Sequence, residues 1–334
     1  MHAARPGTHN LITDVDGILV GQAGDKKAKT GVSVIFPETP CVCAIDVRGG
    51  GPGTRESDAL SPVSLVDKVD AVVLSGGSVY GLAAADGVAA ALGAQGRGFS
   101  LLPDSRAPVS PIVPAAILYD LANGGDKDWG ETPPYQALGR KALAGVGKYF
   151  ALGRTGAGKG AMAGAYAGGV GSASFVTEEG WQIGALAAVN AFGSPFMIDQ
   201  LSGRKIPWAW ALEQEGEFDG LRPDGTERFD SFPPDTKLAA LARQNTTIAV
   251  VAVNAVLDVP QAQRLAIMAQ DGLARALRPV HGPSDGDVVF AMATGAKAPP
   301  MSDPLFLTRM GSLAADCLAR AITRAVIEAG KQEV

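Results

Sequence analysis

Apolar runs separated by turn residues predict a chain of alternating strands and helices. Residues 11–20, 31–36 and 41–47 are short apolar, β-branched stretches, and each predicts a strand. Residues 71–74 form a briefer buried run. It passes through Ser75-Gly76-Gly77-Ser78 into an Ala-rich helix over 79–92, a common strand–turn–helix unit. Residues 115–121 suit a strand or a short apolar helix, and periodicity does not choose between them. A polar loop over 123–134 precedes a helix over 136–146, and residues 183–190 predict a fully buried strand. Residues 213–236 are charged and contain Pro223, Pro233 and Pro234, the signature of a linker. A short helix over 237–243 follows. A strand over 247–253, a helix from Pro260 to near Arg278, a strand over 288–294 and a helix over 312–329 complete the pattern. Apolar strands with helices between them imply sheets covered by helices. No internal repeat is present, and apart from 213–236 no break divides the chain, so one domain over 1–334 is expected.

Composition narrows the partners. The chain has 334 residues, 46% hydrophobic and 19% charged, enough for a sizeable core. Its 43 glycines imply tight turns and close backbone packing. The net charge of −5 comes without a basic stripe, which argues against nucleic acid. Cys41, Cys43 and Cys317 do not make a disulfide framework; Cys41 and Cys43 alternate along a strand and should point the same way. Only three histidines exist, His2, His9 and His281, so a His-rich metal site is excluded, and so is most His-based catalysis unless His281 carries it. No cofactor or metal is implied. Residues 1–10 lack an apolar segment and no membrane span is visible, which predicts a cytoplasmic protein.

The densest chemistry lies at Gln244-Asn245-Thr246-Thr247, where a polar stretch gives way to Ile248-Ala249-Val250-Val251. Cutting before Thr246 would leave its hydroxyl beside its own free α-amine, a complete nucleophile-and-base pair. An α-amine titrates at about 7.7–8.0 and a lysine at about 10.4, so only the former is appreciably unprotonated at neutral pH. The plainer reading is two β-branched residues opening a strand. Asp285 and Asp287 precede a buried strand, either as ordinary turn residues or as carboxylates that orient the nucleophile. Asn190 ends a strand, where its amide could serve a turn or donate to an oxyanion. Tyr119, taken alone, reads as a buried core ring with a satisfied hydroxyl. Gly153-Arg154-Thr155-Gly156-Ala157-Gly158-Lys159-Gly160 is similar to a phosphate loop, but Gly160 stands where a Ser or Thr is needed, and close backbone packing explains it better. Asp14-Val15-Asp16-Gly17 starts like a calcium loop, lacks the closing Glu, and reads as a turn.

Three longer motifs are informative together: Asp46-Val47-Arg48-Gly49-Gly50-Gly51-Pro52-Gly53-Thr54-Arg55-Glu56, Leu74-Ser75-Gly76-Gly77-Ser78-Val79-Tyr80-Gly81-Leu82-Ala83-Ala84-Ala85-Asp86-Gly87-Val88, and the Gly156-Ala157-Gly158 turn. With them the chain resembles the L-aminopeptidase/D-esterase (DmpA-type) peptidase family over nearly its whole length. That resemblance implies an α/β fold, a four-layer α/β/β/α sandwich of the N-terminal-nucleophile-hydrolase type. It implies self-cleavage at Asn245-Thr246 into an α chain, 1–245, and a β chain, 246–334. Asn245-Thr246-Thr247-Ile248 and the Asp pair resemble a Thr-nucleophile branch that includes endo-type 6-aminohexanoate-oligomer (nylon oligomer) hydrolases. By resemblance Thr246 is the nucleophile, Asp285 and Asp287 orient it, Asn190 contributes to an oxyanion hole, and Tyr119 lines the cleft. The family pattern also carries a Lys before a Gly-Gly-x-Gly run. Here Ala167 holds that place, and either Lys159 reaches in or the enzyme works without that cation. The expectation is therefore a Thr amidohydrolase or aminopeptidase acting on small peptides or amides, assembled as a homotetramer. The competing readings are an endo-acting nylon-oligomer hydrolase, an uncleaved non-catalytic homologue, and a nucleotide-binding module built on residues 153–160.

Overall fold

Most of the apolar runs become strands, though not all at the residues expected. In chain order the elements are β1 (Ile18–Asp25), β2 (Thr30–Pro37), β3 (Cys41–Val47), β4 (Thr54–Arg55), β5 (Lys68–Val69), β6 (Val72–Ser75), α1 (Ala83–Ala94), β7 (Ala115–Ile117) and α2 (Tyr135–Ala144). They continue with β8 (Met162–Ala163), β9 (Tyr166–Ala167), β10 (Gly169–Val176), β11 (Gln182–Asn190), β12 (Phe196–Ile198) and β13 (Lys205–Pro207). Last come β14 (Thr246–Ala255), α3 (Val259–Ala269), α4 (Asp271–Ala276), β15 (Val288–Lys297) and α5 (Phe306–Gly330). The computed structural model describes residues 4–102, 106–225, 232–237, 245–300 and 303–332.

Two sheets carry the fold. One has the order β1-β2-β6-β7-β4, the other β10-β11-β14-β15-β3-β5. Alternation along the strands sorts the core into layers. On β14, Ala249, Val251 and Val253 pack with Leu265, Leu273, Leu318 and Ile322 of α3, α4 and α5. The intervening Ile248, Val250 and Ala252 face the other sheet and meet Ile18, Val20, Ile35, Val72 and Leu74. Cys41 and Cys43 lie side by side in this inter-sheet core, as their spacing predicts. The outer face of the first sheet, with Val32, Val34 and Val73, is covered by Ala84 and Val88 of α1 and Leu138 and Ala142 of α2. The result is the expected α/β/β/α sandwich. β14 and β15 are parallel neighbours joined through α3 and α4, while β14 pairs antiparallel with β11.

Several boundaries differ from expectation, each for a local reason. Residues 12–14 form a 3-10 turn and strand β1 starts only at Ile18, because the Asp14 carboxylate accepts from the backbone N–H of His9 at 3.0 Å and Leu11 at 3.1 Å. The helix after Pro260 breaks into α3 and α4. There the Gln270 side chain donates to Asp46 O at 2.9 Å, and Gly272 brings its backbone so close to α5 that a Cβ would lie 2.4 Å from Ala315 O. The segment over 213–225 is no slack linker: Phe218 is fully buried and Glu217 pairs with the buried Arg320. The β8–β9 and β12–β13 hairpins were not expected. The predicted helix over 237–243 lies, beyond Lys237, outside the described residues. Among the described residues no helix is long and apolar enough to cross a membrane.

Candidate active site

The parity of two neighbouring strands creates the site. Thr246 shares its face with Ile248 and Val250, so its side chain looks into the layer between the sheets. Asn190 shares its face with Leu186 and Ala188 on β11 and pairs directly with Thr246 across the ladder. Directly opposed residues of an antiparallel pair present their side chains on one face. Thr246, Asn190, Asp285 and Asp287 are all at most 3% exposed.

Two donors converge on the bond before Thr246. The Asn245 carbonyl oxygen accepts from Thr246 Oγ1 at 2.6 Å and from the Gly286 backbone N–H at 2.7 Å. Asn245 N–H in turn donates to Ser284 O at 3.1 Å, which lays the Asn245 backbone alongside the Asp285 loop. A Cβ added at Gly286 would come within 2.7 Å of Thr246 Oγ1, so glycine is what lets this loop approach the hydroxyl.

The two aspartates do different work from one another. Asp287 Oδ1 accepts from Thr247 N–H at 2.8 Å, and its Oδ2 accepts from the His281 N–H at 3.1 Å and bonds His281 Nδ1 at 2.9 Å. Asp285 Oδ2 accepts from Gly282 N–H at 2.7 Å, and its Oδ1 has no hydrogen-bond partner among the described residues. Burial first, and then the neighbouring Asp287 charge, push the Asp285 carboxyl up to about 6. The Thr246 hydroxyl is held by Asn245 O rather than by either carboxylate.

The run Arg48-Gly49-Gly50-Gly51 backs this loop. Arg48 N–H donates to Asp287 O at 3.0 Å and Gly51 N–H to Asp285 O at 2.7 Å. A Cβ at Gly49 would sit 2.2 Å from Asp285 O, which explains why side chains are absent there.

Asn190 bridges the sheets. Its Nδ2 donates to Tyr119 O at 3.0 Å, just beyond β7, and its Oδ1 accepts from Met162 N–H at 3.0 Å. Tyr119 thus meets the site through its backbone carbonyl. The Lys159 stem packs against Gly24 of β1, where a Cβ would lie 2.7 Å from its Cδ. Ala167 lies buried in the β8–β9 hairpin beside Asn190. The cation at the site is Lys237, whose Nζ donates to Asn190 O at 3.0 Å and Oδ1 at 3.2 Å. Sequence reading did not single out Lys237 or Gly286, because nothing local marks a contact made across the fold. His281 had a signal, being one of three histidines and six residues before Asp287.

Gly156-Ala157-Gly158 is packing, as expected. Its backbone is wedged between the sheets, and a Cβ at Gly158 would be 2.2 Å from Gly169 C. Among the described residues no three or more His, Cys, Asp or Glu side chains gather where a metal could be held.

The chain is 44% identical over 348 residues to an uncharacterized aminopeptidase of Mycobacterium tuberculosis (strain ATCC 25618 / H37Rv), covering 96% of this chain and 94% of the relative. It is 28% identical over 297 residues to a 6-aminohexanoate-oligomer endohydrolase of Kocuria sp. (strain KY2), covering 86% and 76%. Its fold matches the L-aminopeptidase D-Ala-esterase/amidase of Ochrobactrum anthropi, a variant of the Ntn hydrolase fold, with a TM-score of 0.71 at 23% identity, over 98% of this chain and 89% of the other. The sequence matches the description of peptidase family S58 over residues 10–334, and the chain belongs to that family.

Proposed function

We propose that the chain cleaves itself between Asn245 and Thr246 and then, as an N-terminal Thr hydrolase, removes residues from the amino end of small peptides and amides. The convergence of Thr246 Oγ1 and Gly286 N–H on the Asn245 carbonyl oxygen carries this reading. Thr246 Oγ attacks the Asn245 carbonyl carbon. Gly286 N–H stabilises the negative charge that develops on the oxygen. The C–N bond breaks, the nitrogen takes up the hydroxyl's proton, and an ester joins Asn245 to Thr246 Oγ. Water adds to that ester, yielding the Asn245 carboxylate and restoring the Thr246 hydroxyl beside a free amine.

In turnover the amine takes the hydroxyl's proton while Oγ attacks a substrate amide, then passes it to the departing amine. Hydrolysis of the acyl-enzyme repeats the cycle with water. Asp287, fixed by Thr247 and His281, and Asp285, fixed by Gly282, place negative charge where the ammonium forms. Asn190 Nδ2 supplies a second donor to the substrate oxyanion, and Tyr119 borders the cleft. The aminopeptidase reading is favoured over nylon-oligomer endohydrolysis because the 44% identical relatives carry aminopeptidase names, whereas those named endohydrolases are 27–28% identical. Intact mass and Edman sequencing should find a fragment beginning Thr-Thr-Ile-Ala-Val. Aminoacyl amides should be hydrolysed and their N-acetylated forms spared. An undivided chain after prolonged incubation sinks the processing half of the proposal.

We further infer a cytoplasmic homotetramer. Exposed Val63 (93%), Leu65 (79%) and Leu101 (72%) support assembly, and the buried free thiols suit a reducing compartment. Light scattering that gives a monomer overturns the assembly.

A further inference from the structure

We infer that Lys237 is a positioning residue that fixes the orientation of the Asn190 amide, so that one of its N–H bonds stays directed into the site. The inference rests on the proposed role of Asn190. A side-chain amide has two donors on nitrogen and a two-lone-pair acceptor on oxygen, and its orientation is set by its partners. Here both lone pairs of Oδ1 face donors, Met162 N–H at 3.0 Å and Lys237 Nζ at 3.2 Å. The ammonium also binds the Asn190 backbone oxygen at 3.0 Å, gripping the residue at two points. Turning the amide over would set NH2 against both an N–H and an ammonium. Nδ2 is therefore held on the opposite side, where one N–H goes to Tyr119 O at 3.0 Å. The second N–H has no partner among the described residues, and Asn190 stands opposite Thr246 on the inter-sheet face.

The segment bearing Lys237 is itself anchored. Lys237 N–H donates to Phe192 O at 3.1 Å. Asp235 Oδ2 accepts from the Tyr166 hydroxyl at 2.6 Å and from Ser194 Oγ at 2.8 Å, and Asp235 O accepts from Ala165 N–H at 2.8 Å. These bonds come from the β8–β9 hairpin and the turn after β11, on either side of Asn190. Lys237 thus arrives from just upstream of the scissile bond and delivers a cation to the strand end beside it.

Lys237→Met removes the ammonium and keeps the stem. On processed protein it should lower kcat for an aminoacyl amide about tenfold or more with a smaller change in KM, short of the roughly 100–1000-fold expected for loss of a direct oxyanion donor in Asn190→Ala. The double variant should be no slower than Asn190→Ala alone, because the lysine acts through the amide. Lys237→Arg, which retains a charged donor, should recover part of the loss and guards against a folding defect in the Met variant. Independently of any substrate, the Asn190 side-chain NH2 resonances, assigned by their loss in Asn190→Ala, should shift in Lys237→Met. Wild-type kcat in Lys237→Met, additive losses in the double variant, or an unmoved NH2 pair overturns the inference. If Thr246→Ala hydrolyses amides normally, the proposed function fails, while the NH2 measurement still decides the role of Lys237.

Discussion

At the scale of single residues, Thr246 and Asp285 make opposite demands on the fold. Thr246→Ala should remain one chain and be inactive, since both reactions need the hydroxyl. Thr246→Ser should still process, because only a methyl is lost; gel and mass analysis over time distinguish the two, and normal processing of Thr246→Ala would place the nucleophile elsewhere. Asp285 is held above its ordinary 3.8 at about 6. The folded state therefore binds this proton more tightly than the unfolded one, and stability from this group falls as pH rises from about 4 to about 6. Above that window the buried charge costs roughly 3 kcal/mol, by the usual 1.36 kcal/mol per pH unit. Asp285→Asn should accordingly melt higher than the parent at pH 8, match it near pH 3, and yet lose about 10²–10⁴-fold in turnover. A variant that melts lower at pH 8 would show that the charge is stabilising there. Thr246, Asn190 and the Asp pair were legible as local patterns, strand ends and a short Asp-x-Asp loop, while the roles proposed for them came from the family resemblance. Lys237 was not legible, since its meeting with Asn190 spans the β12–β13 hairpin and a stretch that reads only as charged and Pro-rich.

At the scale of elements, the candidate active site is built on a contact between two loops that have almost no side chains between them. The backbone N–H groups of residues 48–51 donate to carbonyl oxygens of residues 282–287 at 2.7–3.4 Å. The sequence marks both loops, one by its glycine run and the other by its aspartates, but not that each is the other's template. The register that sets Asn190 against Thr246 was equally hidden, although both strands were legible as apolar runs, because pairing is decided by the whole sheet. Gly286→Ala tests the contact. The added methyl falls 2.7 Å from Thr246 Oγ1 and 2.8 Å from Gly51 O, so the loop must retreat and take its N–H off the Asn245 carbonyl. Self-cleavage should slow by about 100-fold or more, the usual effect of losing one oxyanion donor. Circular dichroism should show an intact fold, and a variant that processes at the parent rate would remove Gly286 from the mechanism.

At the scale of the whole molecule, the proposed cleavage would cut the chain through the middle of its larger sheet. β14 and β15 belong to residues 246–334, yet β14 pairs with β11 and β15 with β3, both upstream of the cut. The four layers were expected from alternating strands and helices together with the family resemblance. What would staple the two proposed chains was not, because it depends on residues far apart in sequence. Arg320 of α5 is fully buried. Its guanidinium donates to Glu217 Oε2 at 3.0 Å, Asn10 Oδ1 at 2.9 Å and Ser174 O at 2.9 Å, and it lies 4.4 Å from the centre of the Phe175 ring. Every one of those partners lies upstream of Asn245 in the sequence. Arg324, one turn on, pairs with the same glutamate and with Asn10 and Ser172 backbone oxygens. Breaking a buried pair from one side leaves an uncompensated charge and costs about 3–5 kcal/mol. Arg320→Met should therefore melt well below the parent once processed, and Glu217→Gln should lose less, because its amide oxygen still accepts. The double variant Arg320→Met with Glu217→Leu should recover part of the loss, since it removes both charges together. The processed parent should elute from size exclusion as one complex of both chains. Arg320→Met should release free 246–334 fragment at a lower urea concentration than the parent, and equal urea midpoints for the two proteins would assign the cohesion to the strands alone.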